Sequence, residues 1–263
     1  MTIRLSEGLR NRIAQGFGFA RSLHNGWIEV YSGTQPVSAD ALFTGTSLGK
    51  ITVGSGALTK ETRATATLTV TGTAQALTAV TIGTLPIVVD PGRVTTALTD
   101  TTANGAIALA GAINTSGICR ATYSGAVVTV IAPPGVGAAW NSLALASAGL
   151  VCTSSGNMGS VVSGIAAANG LYFAQPAAGV ISKPSGVVWS MSGAVAGTAG
   201  WFRFYSSDTN DAGSLITTLT EPLHARMDGS CGVGSGDLQL SSLAVAVSGP
   251  ITVDTAAFTM PAA

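Results

Sequence analysis

The residues that come nearest to a reactive group in this chain are His224, Arg226, Asp228 and Ser230, which put a base, a carboxylate and a hydroxyl into one short run. Such a set could serve nucleophilic hydrolysis if a fold brought the three groups into contact. Along a strand, however, positions 224, 226 and 228 share one face. They read as a solvated polar face on the outside of a β domain. No Gly-x-Ser-x-Gly elbow leads into a helix, and the few carboxylates are not paired as in a glycosidase. The expectation is that the protein is not an enzyme.

Oxygen ligands are densest at Asp208, Asn210 and Asp211. Calcium favours such clusters, but the run lacks the bidentate Glu of an EF-hand loop. An Asx-rich turn between strands is the preferred reading, with Asp208, Asn210 and Asp211 as weak metal candidates. The glycine runs Gly16-Phe-Gly18 and Gly232-Val-Gly234-Ser-Gly236 do not pass from a strand into a helix, so they form no phosphate cradle. No cofactor is expected. Trp189 and Trp201 could stack on sugars, but core packing accounts for them more simply. Cys119, Cys152 and Cys231 are odd in number and show no Cys-x-x-Cys spacing. They read as small apolar side chains, with a Cys119–Cys152 pair left open.

The elements that must carry these residues change character along the chain. Leu5, Leu9 and Ile13, with Phe17 one step on, recur near helical spacing behind a capping Ser6. A short amphipathic helix is expected from Glu7 to Gln15, ended by Gly16 and Gly18. Beyond Gly26 the period becomes two, with strands at 27–31 and 48–53. From about Thr59 the composition turns to Thr, Ala and Val. Residues 64–71 alternate cleanly, and further strands are expected at 79–82 and 87–89, with a turn at Asp90-Pro-Gly92. A helix over 102–114 would be capped by Asp100 or Thr101 and present Ile107, Ala110, Gly111 and Ile113. A hairpin should turn at Ser124-Gly125, with another strand near 149–153.

After residue 167 short strands return, at 171–173, 187–190, 201–205, 223–231, 238–241 and 251–260, a spacing that suits a sandwich or barrel. The expected fold is mainly β: an antiparallel β-sandwich, jelly-roll-like, built from N- and C-terminal segments and carrying an inserted small α+β domain. Residues 1–25 would be a helical docking arm, 26–57 and 167–263 the discontinuous sandwich, and 58–166 the insert. Insertion at a loop tip costs little, because loop-closure entropy grows slowly with length.

Only 9% of the 263 residues are charged and the formal net charge is zero, where a soluble domain carries about 25%. Copies therefore repel one another weakly, and the Thr/Ser/Gly surface suits packing against protein. Four arginines, at 4, 10, 12 and 21, lie near the N-terminus. Without interleaved aromatics they make no nucleic-acid surface. No run is long and apolar enough to span a membrane. The first residues lack the apolar stretch of a signal peptide, so folding in a reducing cytosol is expected.

The outer segments resemble a family of virion structural proteins from tailed bacteriophages. The matching pieces are Ile3-Arg-Leu-Ser-Glu-Gly-Leu-Arg-Asn11, Gly26-Trp-Ile-Glu-Val-Tyr-Ser-Gly-Thr-Gln-Pro36 and Ser38-Ala-Asp-Ala41. Towards the C-terminus they are Gly179-Val-Ile-Ser-Lys-Pro184, Gly197-Thr-Ala-Gly-Trp-Phe-Arg203, and Met227-Asp-Gly-Ser230 through Leu238-Gln-Leu-Ser241. The middle segment resembles the Thr/Ala/Val-rich modules inserted in phage surface proteins. The resemblance implies a non-enzymatic, self-assembling part of the particle, in capsid decoration or in the tail, neck or baseplate. It would be made in the bacterial cytoplasm and located in the virion. The implied partners are copies of itself and other virion proteins, with a host glycan or receptor as the alternative. Leu5, Leu9, Ile13, Phe17 and Phe19 are the expected assembly contacts.

Overall fold

The computed structural model describes residues 3–14, 16–72, 76–88, 101–207 and 225–259. The chain starts with β1 (Arg4–Leu5), α1 (Glu7–Ala14) and α2 (Phe19–Leu23), followed by β2 (Trp27–Ser32) and β3 (Ser47–Val53). Next come β4 (Thr65–Val70), β5 (Ala79–Ile82), β6 (Leu85–Pro86), α3 (Thr102–Thr115), β7 (Arg120–Ser124), β8 (Val127–Ile131), β9 (Leu145–Ala148) and β10 (Cys152–Ser154). The last stretch holds β11 (Val180–Ser182), β12 (Trp189–Ser192), β13 (Gly197–Tyr205), β14 (Arg226–Gly232), β15 (Leu238–Leu240), β16 (Ala244–Val245) and β17 (Pro250–Thr259). Two compact units result. The second is formed by 61–166 together with 15–17, and the first by the remainder.

In the first unit the pairing runs β13-β14-β15-β17-β12-β3-β2 and returns to β13, so seven strands close into a barrel. This corrects the expected sandwich. Alternation fixes which side chains face inward but does not say whether the last strand pairs with the first. Every pairing in the ring is antiparallel except β14 with β15. Phe202 lies opposite Val30 and Phe204 opposite Ile28. With Trp189, Met191, Met227, Leu240 and Phe258, they fill the interior. At the bulge between Ala199 and Trp201, a Cβ on Gly200 would lie 2.2 Å from the Gly33 carbonyl oxygen, so only glycine lets the two backbones approach. The segment 171–173, expected as a strand, makes an isolated bridge from Leu171 to Gly26.

Ser6 caps α1 as its position suggests, its hydroxyl accepting from the Leu9 amide at 3.1 Å. The helix does not stand off as an arm. β1 pairs with β14, and Leu9 and Phe19 belong to the barrel core.

In the second unit a four-stranded sheet, ordered β10-β4-β8-β7, alternates as the sequence predicts, with Ala66, Leu68 and Val70 inward and Thr65, Thr67 and Thr69 outward. β7 and β8 form the expected hairpin about Gly125, at φ 55°. Thr101 caps α3 by accepting from the Asn104 amide. The buried face is Ala106, Leu109, Ala110 and Ile113, whereas Ile107 is 45% exposed. In so Ala-rich a helix two faces are apolar, and the wider one packs. β5 pairs with β6 and β9 in a small second sheet. All three cysteines are free, which excludes the Cys119–Cys152 pair. The expected turn at Asp90-Pro-Gly92 and the alternative cap Asp100 lie outside the described residues.

Candidate assembly surface

The barrel has a second buried layer on its outside. In register across β2, β13 and β14, Tyr31 meets Trp201, Glu29 meets Arg203 and Trp27 meets Tyr205; Arg203 also meets Asp228, and Tyr205 meets Arg226. All these except Glu29 are almost fully buried. The expectation that Arg226 and Asp228 form a solvated face is therefore corrected. They do point away from the barrel interior, but other segments of the same chain cover them. His224 lies outside the described residues.

Arg203 grips Asp228 at two points, Nε to Oδ1 at 2.6 Å and Nη2 to Oδ2 at 2.7 Å. Its remaining donors reach outward, Nη1 to the Ala41 carbonyl at 2.8 Å and Nη2 to the Ser38 carbonyl at 3.5 Å. Burial alone would lower the guanidinium's pKa, but the bond to Asp228 and its charge raise it. Burial pushes the Asp228 carboxyl up, against the pull of Arg203. The fork geometry and charge favour an ionised pair.

Aromatic rings line the same layer. Tyr31 stacks on Trp201 with centroids 4.4 Å apart, and Trp27 on Tyr205 at 5.0 Å. The two tyrosine hydroxyls hydrogen-bond at 2.9 Å. Burial, the neighbouring phenol and Glu29 push Tyr31 up, and burial above all raises Tyr205 to about 12. Neither phenol can act as a base near neutral pH.

Over this layer lie residues 33–46. Arg4 Nη1 donates to the Pro36 carbonyl, and the Glu7 amide donates to Asp40 Oδ2 at 2.9 Å. The Ser6 hydroxyl accepts from the Arg226 amide at 2.9 Å. The cover is thus fixed from below by Arg203 and from the side by the N-terminal segment. Its outer surface carries three exposed apolar side chains among threonines and glycines: Val37 is 89% exposed, Leu42 and Phe43 about half, and Phe43 stacks on Tyr31.

Of the five expected contact residues, Leu9, Phe17 and Phe19 are buried and Leu5 is half-buried against the core; Ile13 alone of them is exposed. The barrel's own core takes up Leu9 and Phe19, with Leu5 packed against it. Deletion of the arm would therefore open the core. The residues that sequence reasoning passed over are Val37, Leu42 and Phe43, because a Gly/Pro/Ser-rich loop shows no periodicity. Trp189 and Trp201 are fully buried and offer no face to a sugar.

Asp208, Asn210 and Asp211 lie outside the described residues. Among the described residues no cluster of His, Cys, Asp and Glu could hold a metal ion, and no helix is long and apolar enough to cross a membrane. Burial raises the Cys119 thiol to about 12, so it is no nucleophile.

What the fold and this surface define is a closed β-barrel with a polar outer layer that holds an apolar loop in place. No family model matches the chain, and neither any curated protein nor any solved structure matches it.

Proposed function

We propose that this chain is a non-enzymatic structural protein of a tailed-phage particle, in capsid decoration or in the tail, neck or baseplate. It associates with copies of itself and with other virion proteins, and 61–166 acts as an inserted module. The observation that carries this reading is the loop 33–46, which exposes Val37, Leu42 and Phe43 while Arg203 pins its carbonyls from beneath. A pre-ordered apolar loop loses little entropy on docking, so more of its burial energy appears as affinity. At about 25 cal/mol per Å2 of apolar area, a few such side chains per subunit contribute modestly, and ring or lattice symmetry multiplies the effect. Sparse charge adds to it by leaving little to desolvate or repel.

The test is particle assembly in cells expressing the chain with Val37→Asp and Phe43→Asp. The expected result is a variant that still folds, losing only the modest contribution of the Phe43–Tyr31 stack to its thermal stability, but is excluded from particles. Normal incorporation of that folded variant would remove the loop from the account.

A further inference from the structure

In the second unit, Asn141 and Ser142 face the segment 157–163 across an open notch of about 320 Å3, lined by Asn141, Ser142, Asn157, Gly159, Ser160 and Ser163 with Met158 at its floor. From this notch we infer a binding site for a neutral saccharide.

The notch is built by fixed backbone. The Asn141 amide clasps Gly164, with Nδ2 donating to its carbonyl at 2.9 Å and Oδ1 accepting from its N–H at 2.7 Å. The Ser142 amide donates to the Met158 carbonyl at 3.0 Å, and the Met158 amide to Leu143 at 2.8 Å. Ser142 holds φ 67°, an unusual conformation for a residue with a side chain. The far wall is tied to β4, because the Gly159 amide donates to the Thr65 carbonyl at 3.0 Å. Little ordering is therefore left for a ligand to impose.

The chemistry of the lining selects the ligand class. Side chains of Asn157, Ser142 and Ser163 have no hydrogen-bond partner among the described residues, and Asn157 and Ser163 are exposed. An amide and hydroxyls both donate and accept, which matches sugar hydroxyls. No lining residue carries a charge, so a phosphate, sulfate or uronate would find no cation to pair with. The volume falls at the small end of ligand pockets, about 300–1,000 Å3, and suits a sugar-sized group.

The neighbouring surface has the same character. Ser160 bonds Ser155, whose hydroxyl accepts from the Thr67 amide at 2.9 Å. From there Thr67, Thr129 and Thr122 stand opposite one another in register across β4, β8 and β7. A longer glycan leaving the notch in that direction would meet uncharged hydroxyls and methyls. This inference does not depend on the assembly reading.

The experiment is a titration of the full chain, followed by NMR and by glycan-array binding. The probes are glucose, galactose, N-acetylglucosamine and maltose, against glucuronate and sialyllactose. The expected result is that at least one neutral probe at about 10 mM shifts resonances of Asn157 and Ser163. Asn157→Ala and Ser163→Ala, with far-UV spectra unchanged, should each weaken that response several-fold. No shift with any neutral probe overturns the proposal, as does a stronger response to the charged probes. A response untouched by both substitutions overturns it equally. Variants that keep assembling into particles but lose the sugar separate this site from the apolar loop.

Discussion

Arg203 and Asp228 sit opposite each other on β13 and β14, fully buried and joined by two parallel hydrogen bonds. The same guanidinium reaches the carbonyls of Ala41 and Ser38. One side chain therefore links barrel closure to the placement of an apolar surface loop.

Removing one partner of a buried pair leaves an uncompensated charge, at a cost of about 3–5 kcal/mol. Arg203→Met and Asp228→Leu should each lose stability on that scale in urea unfolding. The double variant should lose less than the sum, since both members of the two-point pair leave together, although Arg226 also loses the Asp228 charge beside it. Near-additive losses would show that the pair is not coupled.

The N-terminal segment is structural. Leu9 belongs to the barrel core and is fully buried. Leu9→Ala should cost about 2–5 kcal/mol, and deletion of residues 1–20 should prevent cooperative unfolding by also removing β1. A deleted chain with an unchanged melting transition would contradict this placement.

Tyr31 and Tyr205 give the fold an alkaline limit. Burial lifts both phenols above the ordinary value, Tyr205 to about 12. The fold thus favours the protonated form, and its contribution is fully present below about pH 10. The share of Tyr205 is lost as pH rises through about 12, and that of Tyr31, which is raised further, at still higher pH. Stability measured from pH 9 upward should fall over that window, and Tyr205→Phe should flatten the fall. A pH-independent melting temperature up to pH 12 would oppose it.

Legibility in the sequence followed periodicity. Thr65–Val70 alternates between one buried and one open face, and α1 follows its Ser6 cap, so both could be read directly. Barrel closure could not, because the Trp27–Tyr205 pairing joins residues far apart in sequence. On β14 the alternation of Arg226 and Asp228 gave the correct face and the wrong environment. Polarity indicates water only where nothing else covers the strand, and here residues 33–46 and the N-terminal segment bring paired groups over it. The apolar loop had no period to betray it. Val37, Leu42 and Phe43 become a surface only once Arg203 holds their backbone.

Sedimentation of the full chain over rising concentration tests most directly whether this sparsely charged exterior exists to be covered by other copies. The account predicts a shift from single subunits to closed oligomers below about 1 mM, and its loss with Val37→Asp and Phe43→Asp. A chain that stays a single subunit throughout, and binds no particle, contradicts it.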